Sequence, residues 1–220
     1  MHANTHSPQV VLVAMILTAW TVITPLAANC DAPEGVVWSS DDHLYITESN
    51  VQVATDPWQF RSGISRVSQG GDVTSVLATT LAWCYSGITL GADGLIYVAN
   101  EASGVGTTDS IFRVDPATGA RTLFTSDLIA PEGLRFSSDS GFPLLVAEED
   151  AESGSGQISV VRFDGSHNTL CSSFHDIEDI VLDSAGNLYV SEDTSGLVIK
   201  IARTPSHRWF MPAVAGENAQ

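Results

Sequence analysis

Apolar and polar residues alternate in short runs along most of this chain, and one pair of runs recurs four times. The copies are PEGVVWSSDDHLYITE from Pro33, YSGITLGADGLIYVANE from Tyr85, PEGLRFSSDSGFPLLVAEE from Pro131 and IEDIVLDSAGNLYVSED from Ile177. Each opens on an acidic or small polar residue, continues as a short apolar strand, turns through Asp or Ser, and returns as a strand of the type L-Y-V-x-E. Period-two alternation bounded by Gly, Pro, Asp and Ser is the mark of strands joined by tight turns.

Glu34, Ser86, Glu132 and Glu178 hold the equivalent first position, at spacings of 52, 46 and 46 residues. Repeats of about 40–50 residues built from several short strands predict an all-β fold, a β-propeller with about four recognisable blades. The strands of the first repeat fall near 36–38, 44–47, 64–67 and 73–77; the second and third repeats follow the same plan. Asp115-Pro116-Ala117-Thr118-Gly119 and Asp164-Gly165 read as the last hairpin turns of the second and third repeats. Insertions are expected between second and third strands, at 49–63, 102–109 and 149–156. The fourth repeat supplies strands near 180–182, 188–191 and 198–201, and then alternation stops. An unfinished fourth blade suggests a truncated, frameshifted or divergent chain, or one that closes with a partner.

The expected organisation is a hydrophobic N-terminal segment over 1–30, propeller repeats over 31–202 and an irregular tail over 203–220. The run VVLVAMILTAWTVI from Val10 to Ile23 suits a signal peptide, with Ala27 and Ala28 as a processing site, although no Lys or Arg precedes it. An extracytoplasmic location follows as the expectation, with no membrane span in the mature chain and lipid attachment at Cys30 as a lesser alternative. Cys30, Cys84 and Cys171 form no zinc spacing. A Cys30–Cys84 bridge is thinkable, but the preferred reading leaves Cys84 and Cys171 as ordinary small buried residues.

Composition narrows function. Hydrophobic residues make up 44%, enough for a packed core, and 26 Asp and Glu face nine Lys and Arg for a net charge of −17. Such a surface repels phosphate backbones, so nucleic acid is not an expected partner. It suits cation binding, a saline or extracytoplasmic setting, or plain solubility.

A residue just before the innermost strand of a propeller blade faces the central channel. Glu34, Glu132 and Glu178 would therefore converge, with Ser86 completing the ring. Converging carboxylates repel, and a divalent cation removes the conflict; an all-oxygen donor set selects calcium before magnesium or manganese. Asp179 and His175 are auxiliary candidates. Alternatively, Glu34 and Glu132 are turn formers in P-E-G with solvated side chains. A second matched set, Glu48, Asn100, Glu148 and Glu192, ends the second strands, either on the opposite face or capping the strand into its loop, and reads as a solvated rim rather than a site, with Glu101 and Glu149 adding negative charge there. Trp38, Tyr45, Tyr97, Phe136 and Tyr189 read as packing between blades.

The repeat over about 31–201 resembles the senescence-marker-protein/gluconolactonase family and its NHL-repeat and virginiamycin B lyase-like relatives. That resemblance implies an axial divalent cation held in E-G, N-G and D-G turns. Glu34-Gly35, followed by Trp38, matches the first turn. Pro131-Glu132-Gly133-Leu134 resembles the second with Glu for Asn, and Ile177-Glu178-Asp179 the third with Glu for Asp and no Gly. It implies a calcium-dependent lactone or ester hydrolase, with Glu34, Glu132 and Glu178 as metal ligands. Glu178 and Asp179 would be catalytic carboxylates, and Ser86 and His175 would contact substrate. The alternative is a non-catalytic propeller that binds a protein or glycan through its loop face.

Overall fold

The computed structural model describes residues 26–27, 30, 32–55, 58–81, 83–102, 108–138, 141–149 and 156–203. They fold as a four-bladed β-propeller of four antiparallel sheets. Blade 1 comprises β1 (Pro33–Trp38), β2 (His43–Thr55), β3 (Trp58–Ser68) and β4 (Val73–Leu81). Blade 2 comprises β5 (Trp83–Leu90), β6 (Ile96–Ala102), β7 (Ser110–Val114) and β8 (Arg121–Ser126). Blade 3 comprises β9 (Pro131–Ser138), β10 (Gly141–Glu148), β11 (Gly156–Val161) and β12 (His167–Phe174). Blade 4 has three strands, β13 (Ile177–Leu182), β14 (Leu188–Glu192) and β15 (Leu197–Ile201), paired in chain order like the rest.

The core lies between sheets rather than within any one of them. Tyr45 and Ile64 of blade 1 pack on Tyr85, Ile88, Ile96 and Val98 of blade 2. Tyr97, Ala99 and Ile111 of blade 2 meet Leu134, Leu144 and Val146 of blade 3, whose Leu145, Ala147 and Ile158 meet Ile177, Ile180, Leu188 and Val190 of blade 4. Each fully buried aliphatic side chain contributes about 1.5–3 kcal/mol, so the three blade-to-blade seams carry most of the stabilisation. A polar device in the repeat fixes the turns: the Tyr45 hydroxyl donates to Asp41 at 3.0 Å and the Tyr97 hydroxyl to Asp93 at 2.8 Å. In blade 4, Tyr189 donates to Asp183 at 3.2 Å. Tyr45 and Tyr97 thus pack between blades with their rings and brace the preceding turn with their hydroxyls. Tyr189, on the last described blade, makes the same brace with a half-buried ring under Lys200 instead of a neighbouring blade.

Inner strands β1, β5, β9 and β13 stand side by side around the channel, each packed on the next. Among the described residues, no comparable packing joins β13 to β1. Trp38, expected to pack between blades, is therefore 52% exposed, and Val36, Val181 and Val198 are exposed too. The insertion expected over 49–63 is instead largely strand. Its alternation, V-Q-V-A-T against W-Q-F-R-S, extends β2 and β3 into a long hairpin in which Thr55 opposes Trp58. The stretch before blade 1 also has a structural place. A Cβ on Gly71 would meet the Leu26 carbonyl oxygen at 2.1 Å, as one on Gly119 would meet that of Val76 and one on Gly165 that of Phe124. Residues 26–27 thus lie against blade 1 where an outer strand lies against blades 2 and 3. The apolar run over 10–23 and the tail beyond Arg203 lie outside the described residues.

Candidate functional site

Antiparallel pairing decides where the acidic residues go. Each second strand returns beside the start of the first, so Pro33 pairs with Glu48, Tyr85 with Asn100, Pro131 with Glu148 and Ile177 with Glu192. The second matched set therefore sits at the same end of the blades as the channel carboxylates, not on the opposite face. Nor is it a solvated rim, because Asn100, Glu148 and Glu192 are buried. Glu148 Oε2 accepts from the Ile129 amide at 2.7 Å, and Glu192 Oε1 from the His175 amide at 2.8 Å. These carboxylates pin the chain as it enters the inner strand of their own blade.

Glu34, Ser86, Glu132 and Glu178 together line a cavity of about 270 Å³ at the N-terminal ends of the inner strands, along with Asp179. His175 is outside this lining; its ring is exposed and its backbone is held by Glu192. The residue after each of the first three is glycine for a steric reason. A Cβ on Gly35 would come within 2.7 Å of the Ser86 carbonyl oxygen, one on Gly87 within 2.0 Å of that of Glu132, and one on Gly133 within 2.8 Å of Asp179 Cα. Inner strands approach so closely here that no side chain fits. Asp179 stands in the fourth glycine place, on the last described blade, where no following strand crowds it. Ser86 ties blade 2 to both of its neighbours, its hydroxyl donating to the Pro131 carbonyl of blade 3 at 2.9 Å while its own carbonyl accepts from Thr47 Oγ1 of blade 1 at 2.6 Å.

The field at this mouth is strongly negative. Burial raises the pKa of Glu132 to about 8, with the nearby Glu101, Glu178 and Glu149 carboxylates pushing the same way against a hydrogen bond from Ser86. Partial burial and then Asp176, Asp193, Glu34 and Asp179 raise that of Glu178. Glu149 shares a hydrogen bond with Asp176, which raises Glu149 to about 7; Thr194 Oγ1, donating at 2.6 Å, and Glu149 hold Asp176 low. Glu101 and Glu149 thus act on the channel carboxylates themselves.

The tightest group joins Glu178 to Asp193, the repeat equivalent of Glu101 and Glu149, and to Asp176, which lies just before the repeat. One carboxylate oxygen each from Asp176, Glu178 and Asp193 lie within 4.8 Å of one another. The Asp193 amide donates to the Asp176 carbonyl at 2.9 Å, which clamps the two loops together. Of the expected ligands only Glu178 belongs to this group, while Glu34 and Glu132 line the cavity beside it. The separation fits a hard cation, since oxygens on opposite sides of calcium lie about twice 2.3–2.6 Å apart. The signal in the sequence is the acidic excess of H-D-I-E-D and S-E-D around a single turn.

The fold and this ring of inner-strand carboxylates define a β-propeller with an acidic channel mouth. No protein-family model and no curated protein matches the sequence. Solved structures do. A chain of the nidogen/laminin complex superposes with a TM-score of 0.58 at 17% identity, covering 74% of this chain and 57% of that one. Virginiamycin B lyase from Staphylococcus aureus gives 0.53 at 18% identity, covering 83% and 59%. A Bacteroides uniformis protein provisionally assigned as a 6-phosphogluconolactonase gives 0.52 at 14%, covering 85% and 57%. The chain therefore spans less than two-thirds of the length of these structures. Identities this low establish the shared propeller fold alone.

Proposed function

We propose that the acidic mouth holds a divalent cation, calcium by preference, and that the chain acts outside the cytoplasm as a metal-dependent lactone or ester hydrolase. The carrying observation is the convergence of Asp176, Glu178 and Asp193 within 4.8 Å, beside carboxylates already pushed toward protonation by burial and mutual repulsion. These three residues would hold the ion, with Glu34 facing them across the cavity. A bound cation would supply Lewis-acid polarisation of a carbonyl and a more acidic water. The chain's own residues supply proton handling. Glu132, raised to about 8 in the metal-free mouth and drawn lower by a nearby cation, suits general acid–base work; Asp179 borders the same cavity, one of its oxygens accepting from the Ile180 amide at 2.8 Å. Ser86, which hydrogen-bonds Glu132, orients that group and borders the space a substrate would occupy. A propeller of the same fold provisionally assigned as a 6-phosphogluconolactonase makes lactones the first substrates to test. Thermal melting with calcium, run beside hydrolysis of a panel of five- and six-membered lactones, tests both parts.

A second reading is a non-catalytic propeller that binds a protein or glycan. The exposed apolar residues Val36 and Trp38 on blade 1, and Val181 and Val198 on blade 4, favour it. Calcium-dependent stabilisation with no turnover on any lactone or ester would move the balance to this reading.

A further inference from the structure

The channel has a second mouth, and its chemistry is the reverse of the first. A cavity of about 850 Å³ opens at the C-terminal ends of the inner strands, bordered by Trp38, Arg135, Phe136, Asp183 and Arg203. Arginine is scarce in this chain, and most of it is engaged. Of the seven arginines in the described residues, Arg66 hydrogen-bonds Tyr45 and Arg113 lies over Phe124. Arg121 reaches the Tyr85 hydroxyl, Arg162 reaches Asn168, and Arg61 also has a partner. Arg135 and Arg203 are the exceptions. Neither guanidinium has a hydrogen bond, ion pair or ring contact among the described residues, in a chain with 26 carboxylates. Both border this one cavity.

The repeat shows that the scaffold does not require a cation there. Arg135 on β9 is equivalent to Val37, Thr89 and Val181 on the other inner strands. Arg135 also borders the acidic cavity, so it stands where the two cavities meet. Arg203 lies over Gly186, its Nη1 3.0 Å from where a Cβ would stand. The carboxylate in the wall, Asp183, is occupied by its own turn: it accepts from Asn187 Nδ2 at 2.8 Å, from the Tyr189 hydroxyl and from the amides of Ala185 and Asn187. Trp38, half exposed, and Phe136 give the cavity flat apolar wall.

We infer that this mouth binds a small organic oxyanion, a carboxylate or phosphate carried on an apolar or aromatic body. Planar guanidinium groups match two-oxygen anions bidentately, and the indole of Trp38 suits the ligand's body. The inference does not depend on the metal reading of the opposite mouth.

NMR titration of the full chain at constant ionic strength, following the Trp38 indole and arginine side-chain signals, tests it with benzoate, phenyl phosphate, benzyl alcohol and inorganic phosphate. Saturable shifts are expected with benzoate or phenyl phosphate, and the tighter of the two identifies the headgroup. Arg135→Gln and Arg203→Gln should each weaken binding at least tenfold. An unchanged melting temperature for each variant shows that the fold is intact. Absence of binding by both aromatic anions, equal binding by benzyl alcohol, or unaltered affinity in Arg135→Gln would overturn the site. Inorganic phosphate binding as tightly as phenyl phosphate would overturn the role of the apolar wall.

Discussion

Gly87 and Glu132 stand so close that a methyl group on Gly87 would lie 2.0 Å from the Glu132 carbonyl oxygen. That contact joins the inner strands of blades 2 and 3 and sets the spacing of the channel carboxylates. Gly35 against Ser86 and Gly133 against Asp179 repeat it. The acidic mouth is thus built from backbone approach, with carboxylates carried on the residue before each contact.

Gly87→Ala should therefore be costly. The clash is with backbone, which cannot swing aside, so destabilisation near the upper end of the overpacking range, about 3 kcal/mol, is expected. Gly94→Ala is the control: nothing lies within 4 Å, and only its φ of +78° is strained, for about 1 kcal/mol. Urea unfolding of the two variants separates the terms, and equal losses would mean the inner strands can part.

The tyrosine brace gives a graded test. Tyr97→Phe removes the 2.8 Å bond to Asp93 but keeps the buried ring and its edge-on contacts with Phe124, Phe136 and Phe142. A cost of about 1 kcal/mol is expected. Tyr97→Ala also empties the seam and should cost roughly 3–5 kcal/mol. Similar losses for both, measured by denaturant midpoints, would assign the stability to the hydroxyl.

The four-blade plan was legible because its determinants are local. L-Y-V-x-E alternation, Asp-rich turns and the E-G or S-G start each lie within about twenty residues, and each repeats. The site was only partly legible. Matching Glu34, Ser86, Glu132 and Glu178 by repeat position put those four at one cavity, but Asp176 lies just before the aligned motif, and Asp193, its last residue, is matched by Glu101 and Glu149 rather than singled out. What brings them together is an amide-to-carbonyl bond that recurs in the repeat, from Ser49 to Ala32 and from Glu149 to Ala130, but only in blade 4 do both partners carry carboxylates. Trp38 departs from the packing expectation because its counterpart Phe136 has Tyr97 of the preceding blade to pack on, and no preceding blade flanks blade 1 among the described residues. Position in a repeat does not report which blades flank it.

Stability should depend on pH in a direction that the acidic mouth dictates. Glu132 and Glu149 have folded pKa values of about 8 and about 7, above the ordinary 4.5 of the unfolded chain. Between those limits the folded state binds more protons, so stability falls as pH rises. The contribution is complete below about pH 4.5 and gone above about pH 8. In chelator, melting should drop by roughly 10 °C from pH 5 to 8.5, since Glu132 alone loses about 1.4 kcal/mol per pH unit over about three units, each kcal/mol counting for roughly 2–4 °C at this size. Glu132→Gln should flatten the slope, and a slope unchanged by that substitution would place its cause elsewhere.

Calcium should reverse that trend, because the ion takes over the neutralisation that protons provide. At a hundredfold excess over its dissociation constant, stabilisation of about 2.7 kcal/mol is expected, larger at pH 8 than at pH 5, where protons compete for the same oxygens. Glu178→Gln and Asp193→Asn should each remove most of it, since each deletes one of three converging carboxylates. Asp72→Asn, on the β3–β4 turn of blade 1, should leave it intact. Glu101→Gln is no neutral control, because Glu101 is among the charges acting on Glu132; it should shift the calcium response by less than Glu178→Gln. Lactone hydrolysis followed in the same samples decides the chemistry. Turnover that appears with calcium and is lost in Glu178→Gln and Glu132→Gln supports the hydrolase. Stabilisation without turnover keeps the metal and removes the enzyme. No calcium response at pH 8 removes the site, and leaves its carboxylates as a proton-dependent brake on the fold.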